Sequence, residues 1–123
     1  DTGTAAWFSS PIGLALNPAG TLTVADSLNE TIRQVSASGV VTTLAGSAGV
    51  PGTANGAGAA ARFRTPSGLV RDSSGNFFIT DTGNNTIRKI TLPNVVTTFA
   101  GLEGVAGTDD GTGAAALFNQ PTG

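Results

Sequence analysis

The chain has 123 residues, the size of one small domain, with 39% hydrophobic and only 11% charged side chains and with Gly and Thr at 18 positions each. Six Lys+Arg against eight Asp+Glu leave a net charge of −2, and Cys, His, Met and Tyr are absent, which excludes a disulfide framework, a Cys/His zinc site and an imidazole general base. So few cations grip a phosphate backbone poorly, and no apolar run is long enough to cross a bilayer, so neither a nucleic-acid partner nor membrane insertion is expected.

Eight short strands are predicted in chain order. Ile12–Asn17 is the first, closed by the turn signal Pro18-Ala19-Gly20. Thr21–Ala25 follows, rich in β-branched residues, and ends at Asp26-Ser27-Leu28-Asn29. Thr31–Ser36 carries Ile32 and Val35 to a Ser38-Gly39 turn, and Val40–Ala45 ends at Gly46. A long stretch, Gly46–Arg62, offers no strand pattern and closes on an Ala triplet, read as one helical turn, before Phe63. The series then repeats as Ser67–Asp72, Asn76–Thr80, Thr86–Thr91 and Val95–Ala100, with a second linker at Gly101–Leu117. Strands of five or six residues joined by short turns are antiparallel neighbours, so each series is a four-stranded meander.

The recurrence has a fixed offset of 55. Residues 8–62 align on 63–117 without a gap and share 25 of 55 identities. Phe8, Pro11 and Gly13 return as Phe63, Pro66 and Gly68, and again as Phe118, Pro121 and Gly123. Asp26, Asn29 and Arg33 return as Asp81, Asn84 and Arg88. A unit of this length buries its faces against copies of itself. The expected organisation is unit 1 at 8–62 and unit 2 at 63–117, with 1–7 and 118–123 as partial flanking repeats. Without an initial Met, the chain is expected to be a processed or excised piece.

Four strands per repeated unit make the blade of a β-propeller, so the expected class is all-β, with two blades. The pattern runs F-x-x-P-x-G, then G-x-L-x-V-A-D-x-x-N-x-x-I-R, then V-x-T-x-A-G, then D-G-x-G-x-A-A-x-F. It resembles the NHL repeat in its glycine-rich, long-linker form from bacterial extracellular proteins. The copies depart from it at Ile79-Thr80, in place of Val-Ala, and at Asn55, where the second unit has Asp110. The resemblance implies a six-bladed ring and a secreted or cell-surface location. It also implies that the zinc-dependent lyase branch, whose metal ligands are histidines, is out of reach for a chain with no His.

Two blades are not a ring. Four strands give a blade face of roughly 300 Å². Leaving such a face wet, were it apolar, forgoes on the order of 7 kcal/mol, comparable to the stability of a small domain. Closure by copies of the chain is therefore expected, with itself as partner: a homotrimer of six blades joined head to tail. Another protein, or the rest of a larger propeller, is the other possible cover.

Asp26, Asn29 and Arg33, with Asp81, Asn84 and Arg88, are the recurring polar set. They are read as structural: an Asp that accepts turn amides, an Asn that tolerates a left-handed turn, and an Arg that pairs with the Asp. Gly56–Ala61 and Gly111–Ala116 match G-x-G-x-x-A in form, but without a preceding strand and a following helix no dinucleotide is expected. Asp109-Asp110-Gly111 lacks the further oxygen ligands of a calcium loop. Hence no cofactor, metal or catalytic residue is assigned. The sequons at Asn29 and Asn84 fall on the repeat turn and need no sugar. Trp7, alone of its kind, and Arg62, Arg64 and Arg71, the densest basic cluster, carry no assigned chemistry. The Asp26–Glu30 turn and the long linker should share one ring face, which makes Leu28, Glu30, Arg62, Arg64 and Asn85 the candidate interaction surface. The function expected is a non-enzymatic module for self-assembly and protein binding. The alternatives are a metal-assisted hydrolase or lactonase of propeller type, or a piece of a larger ligand-binding propeller.

Overall fold

The computed structural model describes all of residues 1–123. Its strands are β1 (Pro11–Leu16), β2 (Leu22–Asp26), β3 (Thr31–Val35), β4 (Val41–Gly46), β5 (Gly56–Ala57), β6 (Pro66–Arg71), β7 (Phe77–Asp81), β8 (Thr86–Thr91) and β9 (Val95–Ala100). The first four form an antiparallel sheet in chain order, β6–β9 form a second, and β5 lies outside β9. These are two propeller blades, each a four-stranded meander.

β8 and β9 have the predicted bounds, whereas the other six long strands differ by one residue at one or both ends. The cause is turn chemistry. The side chain of Asn17 accepts the amides of Ala19 and Thr21, at 2.8 and 3.2 Å. Asp72 does the same for Ser74 and Asn76, at 2.9 and 2.8 Å. Both residues leave the ladder to build the hairpin, and the Asn76 side chain holds the Asp72 carboxyl below its ordinary pKa. At the other end Pro11 and Pro66 enter the ladder opposite Asp26 and Asp81.

The linker departs further from expectation, because Gly56 and Ala57 form a strand opposite Val96 and Val95. Gly-Ala has no preference for extended structure, and the unpaired edge of β9 imposes it. Residues at the chain's beginning treat the first blade alike: Val41 donates to the carbonyl of Asp1 at 2.7 Å, and Thr2 bridges Val40. The Ala triplets open with three-residue 3-10 turns, Gly58–Ala60 and Gly113–Ala115.

The core lies between the blades. Blade 1 contributes the small or branched Ala25, Ile32 and Ala45, with Ala15 and Leu44 beside them. The linker and blade 2 answer with Ala61, Phe63, Leu69, Phe77, Ile79, Ile90 and Val96. Residues 77, 79 and 81 share one face of β7, so period-two alternation alone aims this set at blade 1. The innermost strands, β1 and β6, meet so closely that a Cβ on Gly13 would overlap the carbonyl oxygen of Ser67. Gly68 stands in the same relation to the carbonyl of Gly123. The repeated glycine of F-x-x-P-x-G thus permits the backbone approach of successive blades.

Candidate functional site

The polar set gathers because a hairpin folds it together. Asp81 ends β7, Asn84 closes the 3-10 turn Thr82–Asn84, and Arg88 lies in β8 opposite Ile79. Arg88 and Asp81 are therefore diagonal neighbours on one sheet face. Asp81 Oδ1 accepts the Arg64 amide at 2.7 Å, and Oδ2 accepts Asn84 Nδ2 and Arg88 Nη1, both at 2.8 Å. Other donors of the set point into the linker, while Arg88 Nε is buried without a partner. Arg88 Nη1 reaches the carbonyl of Arg62 at 2.8 Å, and Nη2 reaches the carbonyl of Ala54 at 3.0 Å and Asn55 Oδ1 at 2.7 Å. Asn84 Nδ2 also donates to Gly52 at 2.6 Å, so this sequon asparagine is buried and engaged. The Arg88 guanidinium lies 5.2 Å from the centre of the Phe63 ring. Burial pushes the Asp81 carboxyl above its ordinary pKa, against the opposing pull of the Arg64, Asn84 and Arg88 donors.

Blade 1 has the same arrangement, less complete. Asp26 accepts the Ser9 amide at 2.7 Å, Asn29 at 2.8 Å and Arg33 at 3.2 Å. Arg33 Nη1 also reaches the carbonyl of Trp7 at 2.9 Å, but Nη2 has no acceptor in the chain. The Arg33 side chain is 15% exposed where that of Arg88 is 0%. The linker atoms that engage Arg88 Nη2 belong to residues 54 and 55, and no linker residue stands in that relation to Arg33.

The Asp26–Glu30 turn and the linker do share one side, joined by the Gly49 amide donating to Asn29 at 3.1 Å. Two of the candidate surface residues are spent there. Glu30 accepts the Thr65 amide at 2.6 Å, and Asn85 accepts the Gln120 amide at 2.8 Å. Both sit in the left-handed region, at φ 59° and 57°, which turns their side chains toward the next blade's entry segment. Ser27 and Thr82 add hydroxyl bonds to the carbonyls of Pro66 and Pro121. Sequence reasoning missed these latches. Their signal is an acceptor side chain after each D-x-x-N and a hydroxyl after each Asp.

Arg62 bonds the carbonyls of Ala59 and Ala61 within its own linker. Leu28 and Arg64 remain exposed. The basic cluster is dispersed, since β6 carries Arg71 to its far end, about 17 Å of strand from Pro66. Asp109 and Asp110 are exposed, and no three acidic side chains gather closely enough to share a metal ion.

The outer flanks are the remaining surface. Leu14 is 59% exposed, whereas its repeat counterpart Leu69, covered by blade 1, is 7% exposed. Ile12 and Leu16 on the same strand are exposed too, and an open apolar groove of about 370 Å³ runs among Phe8, Pro11, Ile12, Leu14, Val24 and Val35. On the far flank of blade 2, Val70 and Phe99 are exposed, and Phe99 packs edge-on against Phe78 with ring centres 5.0 Å apart. A patch of this kind marks a contact surface.

Comparison with known proteins agrees with this geometry. Residues 63–90 match the NHL repeat family. The fold of the whole two-blade chain is similar to that of a protein of unknown function from Bacteroides thetaiotaomicron, at 29% identity and a TM-score of 0.84, covering 98% of this chain and 30% of that one. An auxiliary nutrient binding protein from Bacteroides ovatus is similar at 26% identity and a TM-score of 0.79, covering 93% of this chain and 31% of that one. A second auxiliary nutrient binding protein, from Bacteroides thetaiotaomicron, shares the fold at 24% identity and a TM-score of 0.76, over 88% of this chain and 30% of its own. The two blades thus span about 30% of the length of these solved structures. No curated protein matches the chain in sequence. No helix is long and apolar enough to cross a membrane.

Proposed function

We propose that the chain is a non-enzymatic NHL propeller module whose two open flanks bind each other across copies, three chains closing a six-bladed ring. One observation carries this reading: the same repeat position is exposed at Leu14 and buried at Leu69, which blade 1 covers. The flanks are complementary by construction. The open side of blade 1 has the repeat positions that receive blade 1 within the chain, and the open side of blade 2 has those that blade 1 presents. Two blades in about 30% of a related chain leave room there for a ring of six. The nutrient-binding name of the Bacteroides ovatus neighbour supports binding as the module's work.

Light scattering at several concentrations tests the assembly. The expected mass is that of three 12.1 kDa chains, and a monomer persisting at high concentration would overturn the reading. A metal chelator should leave the thermal midpoint unchanged. A fall would favour the metal-assisted hydrolase instead. The coverage of about 30% also favours a second reading, in which further blades of a longer polypeptide cover the same flanks.

A further inference from the structure

We propose that Asp110 of one copy pairs with Arg33 of the next at each junction of the ring, an inference that rests on the self-assembly reading and names the contact that sets its register. The two linkers share the backbone bonds that hold residues 52–54 and 107–109, although only the first goes on to form a strand, at Gly56–Ala57. Arg62 donates to the carbonyl of Ala54 and Leu117 to that of Asp109, both at 2.9 Å, and Gly52 and Gly107 donate to the carbonyls of Phe63 and Phe118, both at 3.0 Å. Each also hangs from the blade before it, Gly49 on Asn29 at 3.1 Å and Gly104 on Asn84 at 3.0 Å. The second linker is therefore already shaped to serve a following blade.

What the first linker does for blade 2 shows what the second would do for the next copy's blade 1. Asn55 Oδ1 accepts Arg88 Nη2 at 2.7 Å and Thr98 Oγ1 at 3.3 Å. Moving the linker forward by 55 puts Asp109 at Ala54 and Asp110 at Asn55, and moving the blade back by 55 puts Arg33 at Arg88 and Thr43 at Thr98. The two halves of the missing contact are both free. Arg33 Nη2 has no acceptor, and Asp110 is exposed and joins neither of the chain's two ion pairs, Arg33–Asp26 and Arg88–Asp81. The junction thereby exchanges a neutral acceptor for a carboxylate facing a guanidinium, a shorter and stronger bond. Residues 111–123 of one copy and 1–13 of the next compete for one position. The contact requires that 1–13 be the displaced segment, because Leu117 and Phe118 hold the linker around Asp109 in shape.

Two variants test the pairing. Asp110→Lys should raise the dissociation constant of the assembly by at least about tenfold and flatten its salt dependence, while Asp110→Asn, which copies Asn55, should retain most of the affinity. Circular dichroism melts verify that each variant is folded. In the cysteine-free chain, the double variant Thr43→Cys, Asp110→Cys should yield disulfide-linked dimers and trimers on oxidation. An assembly unmoved by Asp110→Lys, or a double variant that gives only monomers while the wild type assembles, overturns the contact alone. A wild-type chain that stays monomeric overturns the self-assembly reading and this contact with it.

Discussion

Arg88→Ala should lower the stability of the chain by about 3–5 kcal/mol, the cost of removing one partner from a buried ion pair. Both side chains of the Arg88–Asp81 pair are fully buried at 2.8 Å, so the truncation leaves the Asp81 carboxyl out of water without its cation. The loss extends beyond the pair, because the carbonyls of Arg62 and Ala54 and the side chain of Asn55 also lose their donor. A buried acceptor left unsatisfied costs about 1–3 kcal/mol, so replacing both partners with apolar residues should not restore the fold, as it can for an isolated pair. Arg33→Ala should cost less. Its pair is longer, at 3.2 Å, and partly exposed, and its Nη2 has nothing to lose. Urea denaturation of the two variants at one concentration checks the order, and equal midpoints would show that the linker contacts of Arg88 add nothing.

Phe63→Ala should cost a further about 3–5 kcal/mol measured alone, the range for an aromatic removed from a core. Phe63 is fully buried among Ala25, Ile32, Ala45, Leu69 and Ile79, and its ring stands 5.2 Å from the Arg88 guanidinium. It marks the point at which the linker enters the second blade, so truncation opens a cavity in the inter-blade core and frees the clamped segment at once. Phe8→Ala is the matched comparison. Phe8 is half-buried at the edge of the open groove, so its loss should cost well under half as much. Denaturation midpoints measured at a concentration where the wild type is monomeric test this, and similar losses for the two would contradict a core placed between the blades.

The same pair of phenylalanines shows how much could be read before folding. The 55-residue offset and the alternation of Phe77, Ile79 and Asp81 are legible because period and strand face are local properties of a chain. The pairing of Asp with Arg is legible too, since a spacing of seven across a tight turn returns to the same face. The identity of their other partners is not. Nothing in Gly52, Ala54 or Arg62 announces that its carbonyl will face a guanidinium, because a carbonyl carries no side-chain signature. Glu30 and Asn85 look like exposed turn residues until the next blade's entry segment lies beside them. The strand Gly56–Ala57 likewise exists through the open edge of β9 and not through any preference of its own.

By itself, the order of residues determined the number of blades, the four strands in each and the glycine at every blade junction, all consequences of short-range sterics and period-two burial. Tertiary structure alone decided which members of each repeated pair are covered. Leu14 and Leu69 have the same side chain and the same strand position behind a Pro-x-Gly, yet one is open and the other buried. Burial is a relation between surfaces, and in a repeat protein it is set by the unit next door.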